Sequence, residues 1–244
     1  MEPNATSEVP VVPQQPAPEA PPQPTEEEMK AREEEERKAI EEERFKFIPP
    51  GSQRFLVEFG KYSKKGCSTG RNAMNIFHLS TDHENNCPSG KAMSNVPLIY
   101  DAYKQNTYYF QFKIVKNYDE PDKQPGAQSI PTGIKISVGF CRDNLDLNKN
   151  SIVENKKKEY YVFDLFDGEL YTSHLPGLFN KYVPDDNLFK ENDIVGIQID
   201  LEMGEIEFFK NSVSLGAAFN EGGSFKKGKL YPFVALYKCM ISVY

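Results

Sequence analysis

The chain has 244 residues, with 29 Lys and Arg against 36 Asp and Glu, and four Cys. This length accommodates one large β domain or two small domains, and no apolar run approaches the roughly 18 residues of a membrane-spanning helix. The first residues, Met-Glu-Pro-Asn-Ala-Thr, lack the basic start and apolar stretch of a secretory signal. We therefore expect a cytoplasmic or nuclear protein whose cysteines are reduced thiols.

The net charge lies in the N-terminal part of the chain. Residues 1–50 carry 13 acidic and 6 basic side chains, whereas the remaining 194 residues are neutral overall. Nucleic-acid binding requires a basic surface, so this distribution argues against it. We expect neither a nucleic-acid partner nor a membrane partner.

Two segments of different character precede the predicted domain. Residues 1–24 hold eight prolines and few large apolar side chains, so they cannot bury enough surface to offset the entropy of ordering, and we predict a disordered tail. Residues 25–47 begin with the capping box Thr25-Glu26-Glu27-Glu28 and carry Glu-to-Lys or Glu-to-Arg pairs four residues apart. They predict a charged, solvent-exposed helix without the heptad seam of a coiled coil.

Residues 48–244 show strand and turn patterns. Short runs of alternating, aromatic or β-branched residues predict strands at 55–59, 75–79, 108–115, 134–140 and 160–165. Most of 60–96 and all of 116–132 are polar and predict loops. The Asp167-Gly168 pair predicts a hairpin turn that returns through Leu170 and Tyr171. We predict a loop with a short helical turn at 172–190.

The clearest element is a β-meander at 193–219. Apolar residues alternate with small or polar residues from 195 to 201, which places the apolar side chains on one face of a strand. A turn containing Gly204 and a second turn at 210–212 separate this strand from the next two. Strands at 231–237 and 240–244 follow. Short strands, turn signals and almost no helical periodicity predict an all-β antiparallel sandwich.

The meander also carries a family pattern. Its matching residues are Asp193-Ile194-Val195-Gly196, Asp200-Leu201, Gly204, Ile206, Phe208-Phe209, Asn211 and Leu215-Gly216-Ala217-Ala218-Phe219, followed by the closing Leu230-Tyr231-Pro232. In order and spacing these residues resemble the SPRY domain, also called B30.2-like, over about 97–244. The resemblance implies a β-sandwich that binds a partner protein or peptide through loops at one end. The chain has no Trp, which is frequent in that family, and no Arg at the position on the strand before Tyr108 where many members carry one. A ligand mode that depends on that Arg is therefore not implied.

Seven residues are candidates for contact with a partner. Aromatic and polar side chains on loops of a rigid scaffold are typical of binding surfaces. The candidates lie before the strand at 108–115, after the strand at 134–140 and after the Asp-Gly turn: Tyr100, Tyr103, Arg142, Asp143, Asn144, Tyr171 and His174. If they serve only binding, Arg142→Glu or Tyr171→Ala should weaken partner binding and leave the thermal midpoint nearly unchanged.

Two motifs raise enzymatic alternatives. Gly66-Cys67-Ser68-Thr69-Gly70 matches the nucleophile elbow of a serine hydrolase, but the polar residues at 61–65 do not predict the buried strand that this motif requires. Residues 223–229 match a phosphate-binding loop until Leu230, which replaces the Ser or Thr hydroxyl needed for magnesium. Both stretches favour ordinary loops, and we predict no catalytic residue and no enzyme.

Cys67, His78, His83 and Cys87 have the side-chain types of a zinc site but not the spacing of a zinc knuckle. We therefore predict no metal site and no cofactor. The leading interpretation is a non-enzymatic protein-binding adapter. The alternative is a scaffold subunit of a chromatin or methyltransferase-type complex that docks through the acidic N-terminal helix.

Overall fold

The chain divides into a unit of residues 1–41 and a unit of residues 42–244. The structure is a computed structural model that describes residues 47–62, 67–69, 75–78, 90–117, 134–143, 145–149, 158–174, 180–237 and 239–243, and single positions between 27 and 46. Those single positions, including Glu27, Met29 and Glu35, are helical and exposed. The predicted tail at 1–24 lies outside the described residues.

One sheet contains the predicted meander. Its strands are β1 (Gln53–Arg54), β3 (Cys67–Thr69), β4 (Asn75–His78), β7 (Thr107–Asn117), β12 (Ile194–Asp200), β13 (Glu205–Lys210), β14 (Val213–Asn220) and β16 (Cys239–Val243). They lie in the order β14-β13-β12-β7-β16-β4-β3, with β1 parallel to β7 and the other pairs antiparallel. We call this the meander sheet. Its strands β12, β13 and β14 confirm the β-meander predicted at 193–219.

A second sheet of eight described strands faces it. Its strands are β2 (Phe59–Tyr62), β5 (Gly90–Ser94), β6 (Leu98–Ile99), β8 (Ile136–Cys141), β9 (Tyr160–Asp164), β10 (Glu169–Thr172), β11 (Asn180–Lys181) and β15 (Lys229–Leu236). The order is β11-β10-β9-β8-β15-β5-β2, with β6 beside the start of β15. We call this the facing sheet. The predicted Asp-Gly turn is confirmed between β9 and β10, where Gly168 has a φ of +70°.

The two sheets share one hydrophobic core, which confirms the predicted all-β antiparallel sandwich. Phe110 of β7 lies 5.8 Å from Phe140 of β8, and Phe208 of β13 lies 4.9 Å from Phe163 of β9, measured between ring centroids. All four side chains are buried. Aromatic pairs of this kind contribute about 0.5–1.5 kcal/mol each beyond the area they bury.

The outer face of the meander sheet holds an aromatic pocket. The ring of Phe47 lies 5.9 Å from Tyr109 and 5.8 Å from Phe209, and the latter two rings lie 5.6 Å apart. Gly196 permits this packing, because a Cβ there would lie 2.2 Å from the Tyr109 hydroxyl. We call residues 47–54 the strap. Its last two residues form β1, which lies beside β7.

The outer face of the facing sheet is covered by a different segment. Leu145 and Leu147 pack with Tyr160 and Phe233 in a second apolar cluster. Lys91 of β5 is 1% exposed, and its Nζ donates to the Lys149 carbonyl at 2.6 Å. The segment after β8 is thus fixed to the sheet by both apolar and polar contacts.

The first 100 residues differ from prediction at 55–59 and within the predicted loop at 60–96, where β2, β3 and β5 are strands. The strand predicted at 55–59 is a crossover, because β1 pairs in the meander sheet and β2 pairs in the facing sheet. Apolar side chains in this crossover still alternate between core and solvent, since Phe55 and Val57 pack on the core while Leu56 is exposed. Strand β5 was missed because Gly90, Lys91 and Ser94 have weak strand propensity, and pairing with β15 holds it in place.

The structure places the residues of the possible hydrolase, zinc and phosphate-binding motifs. Ser68 is in the middle of β3, opposite Phe77, and not at the strand-to-helix turn of a nucleophile elbow. Cys67 pairs with His78 across β3 and β4, whereas His83 and Cys87 lie outside the described residues. The sequence at 223–229 forms a 3₁₀ helix, Gly222–Lys226, that leads into β15. No helix among the described residues is long and apolar enough to cross a membrane.

Candidate partner-binding site

Five connections meet at one end of the sandwich. In the meander sheet, β7 and β13 start at this end, and β12 and β14 finish there. In the facing sheet, β15 starts at this end, and β8 and β10 finish there. The connections that meet are 95–106, the segment after β8, the segment after β10, 201–204 and 221–228. Backbone bonds from Leu201 to the Asn106 carbonyl and from Glu221 to the Gly204 carbonyl join three of them. We call this end the loop end.

A buried asparagine shapes the first of these loops. Asn106 is 5% exposed, and its Oδ1 accepts from the Asp101 amide while its Nδ2 donates to the carbonyls of Asp101 and Lys104. The Tyr103 amide donates to Asp101 Oδ1, and this bond, with Lys104, lowers the pKa of the Asp101 carboxyl. The folded loop displays Tyr103, which is 97% exposed. Asn106 is not among the predicted site residues, because its three bonds across the loop have no sequence signature.

Arg142 supports the loop end from within. Its guanidinium donates to Glu159 Oε1 at 2.8 Å and to the backbone carbonyls of Ser224, Lys227 and Lys229. The Arg142 side chain is only 14% exposed. Burial acts to raise the pKa of Glu159, but the hydrogen bond and charge of Arg142 outweigh it and lower that pKa. Arg142 therefore fixes the segment before β15.

His174 and Tyr161 extend this network. The Tyr161 hydroxyl donates to Glu159 Oε1 at 3.0 Å and lies 3.0 Å from His174 Nε2. The Tyr161 ring is buried against Phe225, 4.9 Å between centroids, and burial raises the pKa of its phenol. The exposed imidazole of His174 is thus connected through Tyr161 and Glu159 to Arg142.

The structure brings some predicted site residues together and separates others. Tyr100 joins the loop end, where Lys226 Nζ lies 5.2 Å from its ring centroid. Asp143 is exposed in the turn after β8, and Asn144 lies outside the described residues. Tyr171 is directed away, because its hydroxyl donates to Asp167 Oδ2 at 2.6 Å in the turn at the opposite end. Its ring packs on the outer cluster of the facing sheet.

The loop end is unusually apolar at its surface. Among the described residues, it holds four of the large apolar side chains that are exposed: Val96, Ile99, Tyr103 and Met203. Met203 is held by the turn after β12, in which Asp200 Oδ1 accepts from the amides of Glu202 and Met203. Exposed apolar side chains that gather at one place mark interaction surfaces more often than scattered ones do.

The comparisons with known proteins agree with this fold. The SPRY domain family model matches residues 127–243. Similar solved structures include the SPRY domain of human HERC1 (19% identity, 76% of this chain and 96% of that chain covered, TM-score 0.50) and the PSpry domain of TRIM65 (10% identity, 78% and 90% covered, TM-score 0.54). A further human SPRY domain matches at 15% identity, with 76% and 97% covered and a TM-score of 0.50. No curated protein matches the chain.

Residues 127–243 match the SPRY domain and the sandwich has the fold of solved SPRY domains, a fold that generally serves as a non-enzymatic protein-interaction module. The family match begins after β7, so the loop at 95–106 and its exposed Tyr103 lie outside it.

Proposed function

We propose that this chain is a non-enzymatic adapter that binds a partner protein or peptide through the loop end of its sandwich. The observation that supports this proposal best is the exposure of Val96, Ile99, Tyr103 and Met203 at the end where five connections converge. The apolar core that the two sheets share stabilises the sandwich, so the loops at its end can carry side chains that serve binding rather than folding. Aromatic and apolar side chains in such a surface supply most of the binding energy in known interfaces.

Arg142 and Tyr171 are poor probes of this proposal. Both side chains make structural contacts, so Arg142→Glu and Tyr171→Ala are expected to lower stability, and a loss of binding would not identify the surface. Tyr103 and Met203 are better probes, because they are 97% and 61% exposed. Replacing them by Ser removes apolar surface that the fold does not use.

The test compares a loop-end pair of substitutions with a control substitution in the full chain. Proteins captured from source cells are quantified for the wild type, for Tyr103→Ser with Met203→Ser, and for Val213→Ser. The control removes an apolar side chain that is 66% exposed at the start of β14, at the opposite end of the sandwich. We expect partners that the control retains and the loop-end pair loses. Equal capture by all three proteins would contradict the proposal and direct attention to the predicted N-terminal helix.

A further inference from the structure

Three lysines stand together on the segment that joins β14 to β15. Lys226 ends the 3₁₀ helix, Lys227 follows it, and Lys229 is the first residue of β15. All three are exposed. None forms an ion pair with a carboxylate of the described residues, and the Nζ of Lys226 lies 5.2 Å from the ring centroid of Tyr100. This part of the loop end therefore presents positive charge that the described fold leaves uncompensated.

The backbone beneath these lysines is held in one conformation. Arg142 donates to the carbonyls of Ser224, Lys227 and Lys229, and the Lys227 amide bonds back to Ser224. Arg142 and Glu159 form an ion pair with each other, so the Glu159 carboxylate is already paired and does not neutralise the exposed lysines. A binding surface whose backbone is already ordered loses less entropy when a ligand arrives.

Apolar side chains lie beside the charge. Ile99 of β6 is directly opposite Lys229 in the antiparallel register, so both side chains are on the same side of the sheet. Ile99 is 49% exposed and Val96 is 40% exposed. A ligand that meets Lys229 therefore also meets apolar surface.

Carboxylates at the loop end lie around the lysines. Glu202 is next to Met203, and Glu221 begins the connection that carries the lysines. Asp101 is paired with Lys104 at 3.2 Å. On the side of the facing sheet, Glu58, Asp143 and Asp146 are exposed. Within this end, the stretch that combines Lys226, Lys227 and Lys229 with Ile99 places basic side chains next to an apolar one.

We propose that the partner segment bound at the loop end is an acidic peptide with an apolar side chain next to its carboxylates. This inference rests on the proposed function and specifies the chemistry of the ligand. Carboxylates would pair with the lysines at 226, 227 and 229, and the apolar side chain would cover Ile99 and Val96. Three lysines beside apolar surface, on a part of the chain that is neutral overall, fit a short peptide better than a long polyanion.

A displayed random library of twelve-residue peptides, selected on the full chain, tests the ligand class directly. Selected peptides should be enriched in Asp or Glu together with Leu, Ile or Phe. Lys226→Glu with Lys227→Glu should weaken their binding by about tenfold or more, whereas Lys190→Glu, an exposed lysine at the opposite end, should not. Binding should also fall as salt is raised, because exposed charges are screened.

Three results would overturn the inference, and they differ in what they mean for the proposed function. Selected peptides without acidic residues, lost with Tyr103→Ser and Met203→Ser but kept by the lysine variant, would leave the adapter in place and refute the acidic ligand. Peptides that no loop-end change affects, or no selected peptide at all, would refute both. A twelve-nucleotide DNA strand that displaces the selected peptides through the same lysines would make nucleic acid the better ligand.

Discussion

Arg142 holds four groups with one guanidinium. Hydrogen bonds to charged groups contribute about 1.5–3 kcal/mol each, and breaking a partly buried ion pair leaves Glu159 without its cation. We expect Arg142→Ala to lower the free energy of unfolding by about 2–4 kcal/mol in urea denaturation. Arg142→Lys should recover only part of this loss, since an ammonium lacks the planar fork that reaches several acceptors.

Asp143→Ala is the matched control for Arg142, because Asp143 is the next residue and its side chain is exposed. Its effect on the free energy of unfolding should stay within about 0.5 kcal/mol. If Arg142→Ala were equally neutral, its bonds to the 224–229 backbone would not stabilise the loop end.

Asp164 gives the stability a pH dependence of defined sign. Burial, with the charge of Asp167 nearby, raises the pKa of Asp164 to about 6, although Ser137 and the Phe166 amide donate to it. An unfolded Asp titrates near about 4. The folded state therefore holds this proton more tightly, and the contribution of Asp164 to stability is present at low pH and is lost as the pH rises through about 6.

Asp164→Asn removes this titration while its amide can still bond to Ser137 and Phe166. Relative to the wild type, the variant should become more stable between pH 4 and pH 7, by about 2–3 kcal/mol at most. Urea denaturation at several pH values checks this. A difference between the two proteins that does not change with pH would mean that Asp164 titrates normally in the fold.

Residue roles at the loop end were only partly predictable from the sequence. Tyr103 and Asp143 are exposed near the loop end, as a binding role requires, because loop position is encoded by the flanking strands. Arg142 and Tyr171 share such a loop position in the sequence, but Arg142 bonds to residues that are distant in the chain, and Asp167 directs Tyr171 to the opposite end. Partners such as the Lys227 carbonyl are set by tertiary pairing and leave no local pattern.

At the scale of elements, the meander was predictable because each strand has its own signal. From 195 to 201 the alternation matches the burial of every second side chain on one face, and the turns carry residues suited to positive φ. The hairpin between β13 and β14 is an exception in composition. Asn211 and Ser212 have φ values of +51° and +71°, a conformation in which the second position usually carries Gly.

Ser212→Gly should therefore stabilise the protein. The left-handed backbone costs a non-glycine residue roughly 1–2 kcal/mol, which is partly offset by the freedom Gly gains in the unfolded chain. Among the described residues, the buried Ser212 hydroxyl has no hydrogen-bond partner, so its removal breaks no described bond. We expect a gain of about 0.5–1 kcal/mol in thermal or urea unfolding.

Asn211→Gly is the contrasting substitution in the same turn. Asn211 Oδ1 accepts from the Ile194 amide and its Nδ2 donates to Asp193 Oδ1 at 2.7 Å, so its side chain ties the turn to the start of β12. Although Gly suits its φ as well, this change should lower stability by about 1–2 kcal/mol. Similar effects for both substitutions would contradict the assignment of different roles to the two residues.

At the scale of the whole molecule, the chain passes from one sheet to the other near its start. The strap lies on the meander sheet, residues 55–58 cross, and β2 joins the edge of the facing sheet. Sequence patterns could predict the sandwich, because two-residue periodicity fixes which face of a strand is buried. They could not assign strands to sheets, since β7 pairs with both β12 and β16 across more than 70 intervening residues.

The strap is also the basis of a prediction about truncated chains. Phe47 is partly buried against Tyr109 and Phe209, and even full burial of a Phe side chain contributes about 1.5–3 kcal/mol. A chain that starts at residue 42 should thus unfold at a higher urea concentration than one that starts at residue 55. Phe47→Ala in the full chain should reproduce much of this difference. Equal midpoints would show that the strap is not needed.

The pocket around Phe47 also offers an optical handle. The chain contains no tryptophan, so Phe47→Trp would introduce a single indole between the rings of Tyr109 and Phe209. Its emission should lie at short wavelength while the strap is docked and shift to the red when the strap detaches into water. Detachment of the strap could then be timed separately from melting of the sheets, which circular dichroism records.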